Sequence, residues 1–303
     1  MPSDAPHSEI SRDEDDRLVS SPLVLVDGSE LHSLEARPPL PAYIVQLWQR
    51  RHFARAEARS KSFSEGRDMF LGKIWIILNP LLQVAIYALI FGMVLQISRG
   101  MENFIGFLVI GVIYFGFVST ALNSSSNLIR SSRGLISSFS FPKASLVFSA
   151  IFRQLLDNVV PVLVAVAIAL AFQPTVNVNW TLMLLPVHFL LLHVFLTGCS
   201  LIIARITAFI PDFKGIVTLI SRGLFFASGV FFPISRFDGH PVLMSIMQGN
   251  PVYEFLTVVR AIILEGQPGP VSMWIHIIFW SFGLLLIGLL YFWHAEARYA
   301  SVK

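Results

Sequence analysis

The 303-residue chain is 54% hydrophobic and only 14% charged, against the roughly 25% charge of an ordinary soluble domain, and its mean hydropathy is +0.68. Its apolar residues gather into runs of about twenty, long enough to cross ~30 Å of hydrocarbon at ~1.5 Å per residue. These features exclude a water-soluble domain. The net charge of +3 is too small and too unevenly spread to indicate a nucleic-acid partner.

Residues 1–40 differ from the rest. Nine acids stand there against three arginines, a net charge of −6 that leaves +9 on the remainder. The apolar content is too low to fold a core, so an acidic, disordered cytoplasmic tail is expected. It lacks the basic start and apolar centre of a signal peptide.

Residues 41–73 predict an amphipathic interface helix and the turn leading into the membrane. Tyr43, Ile44, Leu47 and Trp48 supply an apolar side, while Arg51, Arg55 and Arg59 recur every four residues and share a face. Such a helix lies along the membrane surface with Trp48 at headgroup depth. It either fixes topology or offers a docking surface to a cytoplasmic partner.

Residues 74–303 predict an all-α integral membrane domain of six transmembrane helices at about 74–97, 104–128, 145–172, 180–208, 215–232 and 272–293. Only helices satisfy every backbone group of such segments in lipid. Pro161 and Pro186 fall inside two of them and predict kinks. Basic residues cluster before the first span, between spans two and three, between four and five, and after six. The positive-inside rule then puts both termini in the cytoplasm of a multi-pass cytoplasmic-membrane protein.

The crossing at about 127–143 is short and cytoplasmic, yet carries Leu135, Ile136, Phe139 and Phe141 before Pro142 and Lys143. Exposed apolar residues in such a loop indicate a protein contact or membrane re-entry. The outer segment, about 233–271, holds two apolar pieces at about 241–248 and 252–264, broken at Gly249-Asn250-Pro251. Each is too short to span, which predicts a re-entrant helical hairpin before the last span.

Several features exclude chemistry. The only Gly-Lys pair is Gly72-Lys73, followed by Ile74, so there is no phosphate-cradling G-x-x-x-x-G-K-S/T loop and no catalytic residue is assigned. Cys199 is the sole cysteine, and His188 and His193, five apart, are poorly placed to share a metal; no metal or other cofactor is expected in this chain. Arg153 and Asp157, four apart, predict an ion pair along one helix, whereas Glu254 and Arg260, six apart, would point differently. A membrane-embedded sugar transferase would need clustered acids or histidines, and an ion-driven transporter would need mid-membrane carboxylates. Neither pattern is visible.

Four motifs in order resemble one family. Leu71-Gly72, Trp75 and Pro80 resemble an L-G-x-x-W-x-x-x-x-P entry to span one. Leu135-Ile136 with Phe141-Pro142-Lys143 resembles an L-I-x-x-x-x-F-P-K/R coupling loop. Ser228-Gly229-Val230-Phe231-Phe232-Pro233 resembles the S-P-V-F-Y-P close of span five, with Gly229 in place of proline, and Asn250-Pro251 resembles an outer N-P. Together they resemble, over residues 42 to 303, the membrane subunit of type-2 ABC exporters for polysaccharides: the O-antigen, teichoic-acid and galactan permeases.

The resemblance implies a homodimeric permease working with two copies of an ABC ATPase subunit that holds the ATP and Mg2+. The cargo would be a lipid-diphosphate-linked polysaccharide crossing between protomers, with a drug or small lipid as the alternative. Arg133, Leu135, Ile136, Phe139, Phe141, Pro142 and Lys143 would couple to the ATPase. Trp48, Arg51, Arg55, Arg59, Gly72, Trp75 and Pro80 would form the interface helix and span entry, with the arginines and Lys73 near the lipid diphosphate. Tyr114, Phe115, Phe117, Phe225, Phe226, Phe231, Phe232 and Tyr253 are candidate pathway aromatics, and Gly249, Asn250 and Pro251 a candidate outer gate. Membrane lipids complete the expected partners, and nucleic acid is not among them.

Overall fold

The computed structural model describes residues 38–49, 74–94, 101–173, 179–234 and 239–302. The chain divides into two units, Met1–Ala36 and Arg37–Lys303, and all the described residues lie in the second. The acidic tail, the arginines at 51, 55 and 59, and the Leu71–Lys73 turn lie outside the described residues.

Every regular element among the described residues is helical. α1 is Leu40–Gln49, and α2 is Ile74–Tyr87, continued by π-helical turns over Ala88–Val94. α3 is Phe104–Ser125; two short helices follow, α4 at Leu128–Ser131 and α5 at Arg133–Ser138. α6 is Ala144–Ala171, and a 3-10 turn at Trp180–Leu184 leads into α7 at Leu185–Phe209. α8 is Phe213–Ala227, and α9 is Pro241–Gln248. α10, Pro251–Arg260, continues as π-helical turns over Ala261–Glu265. α11 is Val271–His294, followed by a 3-10 turn at Glu296–Ser301.

Four helical segments are long and apolar enough to cross a membrane: Phe104–Ser125, Ala144–Ala171, Trp180–Phe209 and Val271–His294. They coincide with the second, third, fourth and sixth expected spans. The other two differ. α8 has 15 residues, about 22 Å of helix, because Ser228 and the left-handed Gly229 (φ 65°) end it before the expected 232. In the first, the shorter apolar helix is Leu81–Met93. Pro186 also departs from expectation. It stands in the first turn of α7, where its missing N–H breaks no helical bond, whereas Pro161 does lie inside α6.

α3 is the hub. It is apolar all round and mostly buried, as a central helix must be. Asn103 starts it: its Oδ1 accepts from Gly106 N at 2.8 Å, and its Nδ2 donates to Ala169 O at the end of α6 at 2.7 Å. α7 and α11 approach backbone to backbone. A side chain on Gly198 would meet Leu284 O at 2.6 Å, and one on Gly288 would meet Gly198 O at 2.6 Å. Small residues permit this approach, which is how apolar helices gain contact energy where lipid removes the hydrophobic drive. Ser281 reinforces it, donating to Leu191 O at 2.9 Å.

Two apolar cores result. The larger surrounds α3 with α7, α8 and α10. The smaller gathers Tyr43, Ile136, Phe141, Val147, Leu201, Ala208, Phe292 and Tyr299. His188 of α7 contacts the α10 region, and Ala208 belongs to the smaller core. Twenty helical residues separate them, so the two regions stand about 30 Å apart along α7.

Candidate functional site

At one end, α4 and α5 form the crossing between α3 and α6, and Phe139 leaves it in extended conformation. The expected coupling residues divide by burial. Arg133 is exposed, and the Phe139 ring is 64% exposed. Ile136 and Phe141 are buried instead, because they cap the smaller core beneath the loop, and Pro142 is buried beside them in sequence. Leu135 is half-buried against that core. Lys143 is also half-buried, its ammonium 3.5 Å from Glu296 Oε1.

α1 lies against the same end. Tyr43 is fully buried, while Ile44, Val45 and Trp48 leave large apolar surfaces exposed, Trp48 by 69%. The Trp293 indole donates to Pro38 O at 3.0 Å and fastens the approach to α1 onto α11. Trp75 and Pro80 fall within α2, but their side chains lie outside what is described.

At the other end, α9 and α10 meet at the break over 249–251, where the sequence set it. Asn250 makes the break. Its Oδ1 caps α10 by accepting from Val252 N at 3.0 Å, and its Nδ2 donates to Ser228 Oγ at 2.8 Å. Pro251 fits the first turn of α10, and Gly249 keeps ordinary right-handed geometry as the last turn of α9 closes. The Asn-Pro and Ser-Gly-Val-Phe-Phe-Pro motifs, 22 residues apart, thus form one joint.

Arg260 holds that joint from below. Its guanidinium donates to Gly229 O at 2.8 Å, Val230 O at 2.9 Å and Phe107 O at 3.1 Å, and it lies over the Phe107 ring. A buried cation is costly unless it is satisfied; here the carbonyls satisfy both terminal nitrogens while the buried Nε has no hydrogen-bond partner, and the ring adds a cation–π contact. Glu254 points elsewhere, as the six-residue spacing requires. Its Oε1 accepts from His276 Nδ1 of α11 at 2.8 Å, and its buried Oε2 has no hydrogen-bond partner.

The expected pathway aromatics fall into separate groups. Phe225 lies 5.0 Å from Phe115, 4.8 Å from Phe231 and 5.6 Å from Phe226 between ring centres. Phe226 is the exposed member. Sequence reasoning missed Tyr87 of α2 and Phe91 of its π-helical continuation, which complete this group at 4.9 and 4.1 Å from Phe231; their spacing of four in an apolar span was the available signal. Tyr114 and Phe117 belong to another group, buried against His188 and His193 of α7. Tyr253 is buried beside Gly229, and Phe232 is half-buried at the larger core.

Several polar groups join neighbouring helices. Asn123 of α3 accepts from Thr218 Oγ1 of α8 at 3.1 Å, and Ser221 donates to Ser119 at 3.0 Å. His193 Nε2 accepts from Asn158 at 3.2 Å, while His188 Nε2 donates to Phe255 O at 2.9 Å. Arg153 and Asp157 pair at 3.4 Å along α6. Among the described residues, no group of three His, Cys, Asp or Glu could hold a metal ion.

Residues 62–264 match the family model of the ABC-2 type transporter. The chain belongs to that family. It is 27% identical over 224 residues to the O-antigen export system permease protein RfbA of Myxococcus xanthus, covering 73% of this chain and 84% of that protein. Two Klebsiella pneumoniae proteins of the same name are 24% and 25% identical over 242 and 241 residues, each alignment covering 78% of this chain and 89% of the relative. The chain is therefore a membrane permease of an ABC-2 type exporter. The matched residues include the permease's α3–α6 crossing, the Ser228–Pro233 close of α8, and the Asn250 joint.

Proposed function

We propose that this permease carries a lipid-linked polysaccharide, of O-antigen, teichoic-acid or galactan type, across the cytoplasmic membrane on energy from separate ATPase subunits. The observation that carries the reading is the α3–α6 crossing: a loop anchored by Ile136 and Phe141 that leaves the Phe139 ring bare at its tip. Burial of Ile136 and Phe141 ties the loop to the smaller core, so that a push on it reaches the helices, and the bare ring offers the grip. The relatives' names, O-antigen export system permease proteins, support the O-antigen member of that class.

The working unit is a homodimer with two ATPase copies, which hold the ATP and Mg2+. Each protomer contributes six spans, α2 and the short α8 included, with both termini cytoplasmic. α1 belongs to the interface with the ATPase, and the basic residues beyond it in the sequence, Arg51, Arg55, Arg59 and Lys73, meet the lipid diphosphate; arginine's planar fork suits phosphate. The Tyr43 end faces the cytoplasm. α9 and α10 form the re-entrant outer hairpin, with Gly249-Asn250-Pro251 as its hinge. Phe226, the exposed member of the ring group, faces the pathway between protomers, where an aromatic face stacks on sugar rings without demanding one hydroxyl pattern; Phe225, Phe231, Phe115, Tyr87 and Phe91 pack behind it. ATPase closure moves the spans as rigid bodies.

Reconstitution tests this. The purified chain is expected to hydrolyse no ATP, and proteoliposomes holding it with its ATPase subunit are expected to move lipid-diphosphate-linked O-antigen only when ATP is present. Turnover by the chain alone would refute the division of labour. ATP-driven movement of a short-chain fluorescent lipid, with the glycan left behind, would refute the cargo.

A further inference from the structure

Glu296 takes no part in the coupling set above, yet it is only 3% exposed. It follows α11 directly, at the start of the 3-10 turn Glu296–Ser301. A buried carboxylate is strongly unfavourable unless donors surround it. Here the donors come from two distant segments. Lys143 N donates to Oε1 at 2.7 Å, and the Tyr43 hydroxyl donates to Oε2 at 2.7 Å. The Tyr43 oxygen in turn accepts from Ala144 N at 3.2 Å, and the Lys143 ammonium stands 3.5 Å from Oε1.

The N–H groups so engaged are those that open α6, which has no side-chain cap of its own. A helix start leaves such donors unpaired and favours negative charge. Glu296 therefore caps α6 across 153 residues of chain, with the Tyr43 hydroxyl of α1 bridging to the next N–H. Burial pushes the Tyr43 phenol up, with the Glu296 charge adding to it, so the hydroxyl keeps the proton it donates. Burial also raises Glu296, opposed by the Lys143 N–H, the Tyr43 hydroxyl and the Lys143 ammonium.

The position matters because the coupling loop ends there. Phe139 is exposed, Phe141 and Pro142 are buried, and Lys143 is the next residue. We infer that Glu296 is a positioning residue of the transport cycle: it locks the end of the loop and the first turn of α6 to α1 and α11. A displacement at Phe139 then moves all of them as one body. The inference rests on the reading of the 127–143 crossing as the coupling element.

The test uses the intact permease–ATPase complex in nanodiscs. Ser272→Cys, exposed at the far end of α11, is placed in a Cys199→Ala background. Its maleimide-labelling rate is compared with and without Mg-ATP plus vanadate. Glu296→Ala and Tyr43→Phe are expected to cut the ATP-driven change by about tenfold, within the usual range of inter-site coupling. ATPase co-purification and hydrolysis are expected to remain. Glu296→Gln, which keeps an acceptor for Lys143 N, is expected to restore most of the change; a structural defect alone would follow thermal midpoint instead.

Phe139→Asp separates the two readings. If it abolishes the change while Glu296→Ala and Tyr43→Phe both keep it, the inference about Glu296 fails and the coupling loop stands. If Phe139→Asp keeps the change while the other two lose it, Glu296 stands and the ATPase grips the 127–143 crossing at a residue other than Phe139. If all three keep it, both readings fall.

Discussion

Gly198→Ala is expected to lower the yield of folded permease sharply, at a cost of about 3 kcal/mol or more, the upper end of overpacking penalties. The added methyl would stand 2.6 Å from Leu284 O and 2.6 Å from Leu285 N. Those atoms are helical backbone and cannot swing aside as a flexible side-chain tip could. α7 and α11 must separate, and the Ser281–Leu191 hydrogen bond and the reciprocal Gly288 contact loosen with them. The damage would reach both ends, since α7 runs from the α10 region to the smaller core. Gly283→Ala is the control: nothing lies within 4 Å of its added methyl, so helix propensity should make it neutral or stabilising by up to ~1 kcal/mol. Thermal midpoints in detergent decide it. Equal midpoints for Gly198→Ala and wild type would show that the two helices do not pack this tightly.

Phe139→Asp is expected to leave the permease folded and bound to its ATPase, with export lost by about tenfold or more, the scale of a coupling energy between sites. Its ring is 64% exposed, so the substitution costs the isolated chain little. Phe141→Asp is expected to behave otherwise. Phe141 is 8% exposed in the smaller core, and a carboxylate there costs several kcal/mol, so the protein itself should be lost. Export, ATP hydrolysis and yield, measured on both variants, separate a contact residue from a packing residue. Normal export by Phe139→Asp would remove the loop tip from the coupling path.

The contrast between these phenylalanines shows what the sequence could and could not reveal. The sequence marked the loop as unusual because apolar residues in a short crossing are a local feature. Which ring turns inward depends on α7 and α11, far away in the chain. The four long helices were legible for the same local reason, as was the break at Gly249-Asn250-Pro251, where turn and cap chemistry act within three residues. Asn250 went further: its side chain both caps α10 and reaches Ser228, which ties the two motifs into one joint. Of the eight candidate pathway rings, composition could not tell which pack against α7, as Tyr114 and Phe117 do, and which stay exposed, as Phe226 does.

Long-range polar bonds were the least legible. Glu296 stands 153 residues from Lys143 and 253 from Tyr43, and no periodicity connects them. Its available signal was its place, an acid immediately after an apolar span in a chain poor in acids outside its tail. Arg260 was recognisable as a cation in an apolar segment, but its target, the carbonyls released by Gly229 and Val230, required the fold. The short α8 was misjudged because hydropathy continues through Val230, Phe231 and Phe232 while the backbone turns at Gly229.

Sided labelling of two single-cysteine variants tests the whole arrangement most directly. In a Cys199→Ala background, Phe139→Cys and Leu243→Cys, both at exposed positions, are treated with a membrane-impermeant maleimide before and after the cells are opened. Leu243→Cys should react in intact cells and Phe139→Cys only after lysis, placing the coupling loop inside and the α9–α10 hairpin outside. Reaction of both from the same side would contradict the account.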